Sequence, residues 1–144
     1  MSITPLSVKE GVGNPYGKIA RGIYDFAVDG GAVSTITLMK DTFIPSGATI
    51  MGGWIEVDTT LTSGGAATIA VQVEAAGDIV GAVAVATWTA GRKQIIPGLT
   101  AGAALAASAV VRTTAARDIS IVIAAATLTA GKFSVVLWYA DPLA

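Results

Sequence analysis

From residue 20 onward, apolar and polar side chains alternate with a period of two in short segments separated by turn residues. The clearest case is the segment 67–75. Its apolar set, which would share one face of a strand, is Ala67, Ile69, Val71, Val73 and Ala75. Successive side chains of a β-strand point to opposite faces, so this pattern predicts a strand with one buried and one exposed face.

The segment 22–28 shows the same alternation, with Tyr24, Phe26 and Val28 on one face. The sequence Asp29-Gly30-Gly31 follows and supplies residues that tolerate a positive φ, as tight hairpin turns require. We therefore expect a β-hairpin whose second strand is 35–39.

Three later segments also alternate, at 50–59, 118–123 and 133–140. In the first, Ile55 and Val57 face away from Trp54, and the adjacent Gly52-Gly53 pair indicates a bulge or a close approach of two backbones. The last is apolar on both faces. A strand of this kind lies at the centre of a sandwich or turns one face toward a partner subunit.

Two segments rich in Ala and Val, 79–88 and 103–112, are compatible with strand or helix. We interpret 82–88 as a strand, 99–108 as a short helix or a loop, and 109–113 as a short strand. Eight or nine short strands, spaced by turn residues, predict an all-β, single-domain β-sandwich of jelly-roll-like type. An up-and-down barrel is the alternative.

The first 18 residues show no strand or helix period. They contain two prolines and three glycines between isolated apolar residues. We expect residues 1–18 to form an extended N-terminal arm and residues 19–144 to form the β-sandwich domain. The arm is either a frayed end or a segment that orders along a partner. Its apolar residues are Ile3, Leu6, Val8, Val12 and Tyr16.

The composition excludes most kinds of active site. The chain has no histidine and no cysteine, and therefore lacks the commonest general base, the thiol nucleophile and the preferred zinc ligands. We expect no catalysis, no cofactor and no metal. Nine basic and ten acidic residues are scattered along the chain, so direct nucleic-acid binding is not expected.

The longest uncharged stretch, 94–111, contains Pro97 and two glycines and is mostly alanine, which argues against a membrane span.

Low charge and high hydropathy suggest a protein with surfaces to cover. Only 13% of residues are charged, and the mean hydropathy is +0.67. Arg112 and Arg117 bracket a short turn, where they would pair with carboxylates across an interface or lie in a solvated loop. We predict interface residues in the arm, at these arginines and at two tryptophans: Ile3, Leu6, Val8, Tyr16, Trp54, Arg112, Arg117 and Trp138.

Glu56 and Asp58 are the best pair of carboxylates for chemistry. They lie two residues apart on one predicted strand, so their side chains would originate roughly 6–7 Å apart on the same face. This spacing overlaps that of glycosidase carboxylates, but any exposed strand offers such a pair. Trp54 nearby could be a platform for a sugar or an interface aromatic.

Three segments resemble small virion structural proteins of tailed bacteriophages, in particular capsid decoration (cement) proteins. They are 20–33 (ARGIYDFAVDGGAV), 112–124 (RTTAARDISIVIA) and 128–139 (LTAGKFSVVLWY). The resemblance implies a β-sandwich or jelly-roll subunit, made in the host cytoplasm, that binds the major capsid protein on the outside of the shell. It implies a homotrimer and carries over no individual functional residue. A tail or fibre subunit and a carbohydrate-binding sandwich module are the alternatives.

Overall fold

The structure, a computed structural model, describes residues 17–39, 43–95 and 110–141. A one-turn helix, α1 (Phe26–Asp29), follows the first strand, and a 3₁₀ turn, Val85–Thr87, follows the fifth. No helix within these ranges is long and apolar enough to cross a membrane. The nine strands of the described ranges are β1 (Lys18–Asp25), β2 (Ser34–Thr37), β3 (Thr49–Ser63), β4 (Thr68–Gln72), β5 (Val80–Ala84), β6 (Gly91–Ile95), β7 (Val111–Arg112), β8 (Ser120–Ala124) and β9 (Leu128–Ala140).

The strands form two antiparallel sheets. The first has the order β1-β9-β3-β6, with β7 also pairing with β3, and the second has the order β2-β8-β4-β5. Most connections between consecutive strands pass from one sheet to the other, which joins the sheets into one sandwich. The all-β sandwich expected from the sequence is thereby confirmed, and its jelly-roll-like type stays a prediction.

The core lies between the sheets and is built from the alternate residues of each strand. Phe133, Val135 and Leu137 of β9 are fully buried on the inner face of the first sheet. The second sheet contributes Ile69 from β4 and Ile121 from β8, both fully buried in the same apolar cluster. Complete burial of each such side chain contributes about 1.5–3 kcal/mol, so this double row is the main source of stability.

The Gly52-Gly53 pair of β3 marks a bulge, as predicted. The register against β9 shifts between Ile50 and Gly52, so Met51 is the extra residue on β3. A Cβ atom at Gly53 would lie 2.0 Å from the carbonyl oxygen of Val136, a distance that no side chain tolerates. The two strands can therefore approach closely here only because residue 53 is glycine.

The hairpin predicted between residues 22 and 39 is wrong. β1 pairs with β9 in the first sheet, whereas β2 pairs with β8 in the second. The strand ends at Asp25 because its carboxylate accepts a hydrogen bond from the backbone N–H of Ala27 and caps α1. Phe26 and Val28 consequently leave the strand face.

Tyr24 joins β1 to the turn that follows α1. Its ring is fully buried beside Phe133, with 5.3 Å between centroids, and its hydroxyl donates to the carbonyl oxygen of Gly30 at 2.7 Å. Burial, together with the nearby charges of Asp29 and Asp25, raises the pKa of Tyr24 to about 12. This residue therefore stays neutral and keeps its hydrogen bond well above physiological pH.

The fourth strand is shorter than the sequence pattern suggests. The carboxylate of Asp78 accepts hydrogen bonds from the backbone N–H groups of Val73, Glu74 and Ala75, at 2.8–2.9 Å. These amides turn toward a side chain instead of a neighbouring strand, and β4 ends at Gln72.

The strand predicted over 82–88 is only partly correct, because β5 ends at Ala84 and the 3₁₀ turn follows. This turn directs Trp88 into the core. The predicted short strand at 109–113 is present as β7. The interpretation of 99–108 lies outside the described residues, as does most of the expected arm; β1 begins at Lys18.

Trp88 offers a test of the core. It is 3% exposed and packs on Phe133, with 4.9 Å between ring centroids. Within the described ranges its buried Nε1–H meets no hydrogen-bond acceptor. An unsatisfied buried donor costs about 1–3 kcal/mol. Trp88→Phe removes the donor but keeps an aromatic ring, so we expect its free energy of unfolding to stay within about 1 kcal/mol of wild type.

Trp88→Ala is the matched comparison and should lose about 3–5 kcal/mol through the cavity that it leaves. Urea denaturation followed by circular dichroism measures both variants. A Phe variant as unstable as the Ala variant would show that the indole N–H is satisfied in solution.

Candidate interaction surface

The outer face of the first sheet carries a group of apolar side chains that we call the tryptophan face. On β1, Ile19 and Ile23 point outward because Ala20, Gly22 and Tyr24 between and beside them are buried. β9 and the bulged part of β3 supply the rest. The members of the tryptophan face are Ile19, Ile23, Met51, Trp54, Val136 and Trp138.

Strand register brings these residues together from distant parts of the chain. Ile19 lies opposite Trp138, and Val136 lies between Arg21 of β1 and Trp54 of β3. The rings of Trp54 and Trp138 meet edge to face, with centroids 5.4 Å apart and an interplanar angle of 65°. This geometry is favourable for an aromatic pair and fixes both indoles on the sheet.

The ring of Trp138 lies beside Gly52 of β3. A Cβ atom at Gly52 would lie 3.7 Å from that ring, an ordinary van der Waals distance. The indole therefore packs along the backbone of β3 next to the bulge at Met51.

The tryptophan face is substantially open to solvent. The exposed fractions are 56% for Ile19, 47% for Met51 and 43% for both Ile23 and Trp138. Val136 at the centre is 7% exposed, because its neighbours on both adjacent strands cover it. The solvent face of an antiparallel sheet normally alternates to polar residues. An apolar cluster in that position is a sign of an interaction site.

Ion pairs border this cluster. Glu56 accepts from the Nε of Arg92 at 2.9 Å, across β3 and β6. A looser pair joins Asp25 to Lys132 at 3.8 Å, and at the end of β1 Lys18 pairs with Asp141 at 3.6 Å on the side of the strand that carries Ala20. Exposed pairs of this kind contribute about 0–1 kcal/mol each to stability. Their more important effect is that the two pairs on the outer side, Glu56 with Arg92 and Asp25 with Lys132, add no net charge to the face.

Arg21 lies between Ile19 and Ile23 in the outward row of β1. It is exposed and lies opposite Val136. Among the residues that the structure describes, no carboxylate forms an ion pair with Arg21. A guanidinium group therefore projects from the aliphatic side of the tryptophan face.

The structure places the predicted interface residues in different environments. Trp54 and Trp138 are in contact on the tryptophan face. Arg112 is exposed on β7, where it pairs with Thr49 of β3. Ile3, Leu6, Val8 and Tyr16 lie outside the described residues. Their roles at an interface stay predictions.

Arg117 has a carboxylate partner within its own chain. Its Nε and one terminal nitrogen donate to the two oxygens of Glu74 at 2.8 and 3.1 Å. Thr114 adds hydrogen bonds to the same carboxylate from its backbone N–H and its hydroxyl. These donors lower the pKa of Glu74 from 4.5 to about 2, with the Arg117 hydrogen bonds the largest cause. The cluster joins the loop after β4 to the segment before β8.

The paired carboxylates Glu56 and Asp58 do not form a regular pair on one strand face. A register shift between Val57 and Thr59 falls at Asp58, and Glu56 is engaged by Arg92. In the described ranges, no three His, Cys, Asp or Glu residues lie close enough together to hold a metal ion.

Sequence reasoning missed Ile19, Arg21, Ile23 and Met51 as members of one surface. The signal for the β1 residues was present, because the alternation of Ile19, Arg21 and Ile23 with smaller residues continues upstream of Gly22. The pairing of β1 with β9, which brings this row beside Trp138, has no local signature in the sequence.

Comparison with known proteins identifies the fold. No known protein family matches the sequence, and no curated protein matches it. Solved structures of three bacteriophage capsids contain chains with a similar fold. They are the acidic stable capsid of Helicobacter pylori bacteriophage KHP30, the capsid asymmetric unit of cyanophage Pam1 and the capsid of Ralstonia phage GP4.

The similarity extends over most of each chain. For KHP30 the TM-score is 0.57 at 13% identity, covering 89% of this chain and 90% of the other. For Pam1 the TM-score is 0.58 at 22% identity, covering 88% of this chain and 87% of the other. For GP4 the TM-score is 0.56 at 18% identity, covering 90% of this chain and 88% of the other. At these identities the comparison establishes a shared fold. The resemblance to bacteriophage virion proteins is thus confirmed at the level of fold.

The cluster around Glu74 predicts how stability changes with pH. The pKa of the Glu74 carboxyl is lowered in the folded protein. Its contribution to the free energy of unfolding is therefore complete above about pH 4.5 and disappears as the pH falls toward 2. Glu74→Gln removes the charged acceptor. We expect the variant to melt below wild type by a constant interval from neutral pH to about pH 5, and the interval to shrink at lower pH.

Thermal melts in a series of buffers measure this interval. Glu56→Gln is the control, because it breaks an exposed pair with a single contact and should change the melting temperature little at any pH. An interval for Glu74→Gln that stays constant down to about pH 2 would contradict the assigned role of the carboxylate.

Proposed function

We propose that this chain is a structural protein of a bacteriophage virion, which binds the outside of the capsid as a homotrimer and stabilises the shell. The observation that carries the proposal is the fold shared with chains of three bacteriophage capsids over nearly nine-tenths of this chain. Its partners would be copies of itself and the major capsid protein.

The described surface supports a role in packing against proteins. The tryptophan face presents exposed aliphatic and aromatic side chains on a rigid sheet, where a solitary soluble domain would normally have polar ones. Two stacked sheets with a closely packed core deform little, so a subunit of this kind can transmit force between the surfaces that it contacts.

Stabilisation of a shell needs only modest energy at each contact. A subunit that bridges neighbouring capsomers binds the assembled shell but not the separated ones, so its binding free energy opposes disassembly. Many copies bound to the same particle add their contributions, and simultaneous contacts by the members of a trimer strengthen one another. No catalytic group is needed, in agreement with a chain that has neither histidine nor cysteine.

A carbohydrate-binding module is the second candidate, favoured by the contact between the half-buried Trp54 and the exposed Trp138 on the outer face. Sugar rings can stack on flat indole surfaces, and Glu56 lies on the same strand as Trp54. One feature weighs against this candidate: Arg92 already engages the carboxylate of Glu56. We therefore place it second.

Binding to shells tests the proposal directly. Purified protein is added to capsids of its phage from which this protein has been removed, and binding is measured by co-sedimentation. We expect saturable binding and a higher temperature of capsid disruption in the presence of the protein, because it binds the intact shell preferentially. Absence of binding, or binding to tails alone, would contradict the proposed location.

A variant lacking residues 1–16 tests the expected arm. The deletion ends before β1, so the sandwich should fold with an unchanged circular dichroism spectrum. If the arm orders along a capsid partner, shell binding should weaken by about tenfold or more, since apolar contacts of several side chains are lost. Binding equal to that of the full chain would identify the arm as a frayed end.

A further inference from the structure

We infer that the tryptophan face is the surface through which one copy of this chain contacts a second copy. This inference rests on the proposed homotrimer and identifies the residues at the contact between its subunits. Three observations carry it: the two sides of the face are chemically complementary, the charges at its border balance, and its apolar area suits the centre of a protein interface.

The face has an aliphatic side and an aromatic side. β1 contributes Ile19 and Ile23 with Arg21 between them, whereas Trp54 and Trp138 lie on β3 and β9. A guanidinium group is attracted to the face of an indole ring, and tryptophan is the strongest acceptor of this interaction. When the aliphatic side of one copy meets the aromatic side of the next, Arg21 can lie over an indole of its neighbour. The guanidinium group and isoleucines of one copy would thus contact the indole rings of the other.

The charges around the face are compatible with contact between identical chains. The bordering pairs of Arg92 with Glu56 and Lys132 with Asp25 contribute two positive and two negative groups. These pairs add no net charge to the face. When the aliphatic side of one copy meets the aromatic side of the next, the two Arg21 side chains do not face each other. A strongly charged partner would find these groups already neutralised, whereas a second copy needs no excess charge for binding.

The exposed apolar area is of the right size. Large side chains offer roughly 150–250 Å² each when fully exposed, so the exposed fractions of the four open members leave about 300–450 Å². A stable interface buries about 800 Å² on each partner, of which somewhat more than half is apolar. The tryptophan face would supply most of that apolar part, and the ion pairs would lie at its border.

Two pairs of variants of the full-length chain test the inference. Arg21→Glu reverses the charge that would lie over the neighbouring indole, and Arg21→Lys keeps it. Trp138→Ser removes an exposed ring from the face, and Val28→Ser removes an exposed side chain of α1, which lies off the face. Arg21 and Val28 are exposed, so their variants should fold; circular dichroism and thermal melting check all four.

Self-association is measured by sedimentation and light scattering over a dilution series. Tryptophan fluorescence gives a second measure, because Trp54 and Trp138 lie on the face whereas Trp88 is buried in the core. We expect wild type to be oligomeric. Arg21→Glu and Trp138→Ser should raise the dissociation constant about tenfold or more, while Arg21→Lys and Val28→Ser remain close to wild type.

Several outcomes would overturn the inference. One is a wild-type chain that is monomeric at every concentration, and another is face variants that fold and associate as wild type does. Shell binding by the same variants separates the two proposals. Variants that stay oligomeric but no longer bind shells would show that the face contacts the capsid instead. If the face variants dissociate but the wild-type protein never binds shells, the inference is supported and the proposed function is contradicted.

Discussion

The pairing of β9 with β1 on one side and β3 on the other is the interaction on which the rest of the structure depends. β9 is thirteen residues long, and its inner side chains, among them Phe133 and Leu137, are fully buried. Its outer residue Val136 is buried as well, since side chains of both neighbouring strands cover it. One strand therefore holds the core together and also arranges the tryptophan face.

The two outer faces of the sandwich differ in polarity. On the second sheet the outward positions include polar residues such as Thr68, Gln72 and Ser120, as expected where a sheet meets water. On the first sheet the outward positions beside β9 carry isoleucine and tryptophan. This asymmetry gives the proposed contact between copies a definite side of the molecule.

Alternation predicted the strands whose inner residues pack on the opposite sheet, since the period of two is imposed by burial of one face. It succeeded for β3, β4, β8 and β9, and the Gly52-Gly53 pair correctly indicated a bulge. It failed where a side chain overrode the pattern: Asp25 caps α1 and ends β1, and Asp78 binds three amides and ends β4. For the candidate surface, it identified Trp54 and Trp138 but not Ile19, Arg21 or Met51.

The sequence by itself determined that this is an all-β sandwich with few groups for chemistry, because residue period and composition are local properties that can be read without knowing any contact. Only the tertiary structure decided which strands are neighbours. The pairing of Ile19 with Trp138 joins residues far apart in the chain, and it depends on the packing of both sheets together rather than on either segment. Arg112 and Arg117 look alike in the sequence. Only the fold brings Glu74 to Arg117, which therefore has a carboxylate partner within its own chain.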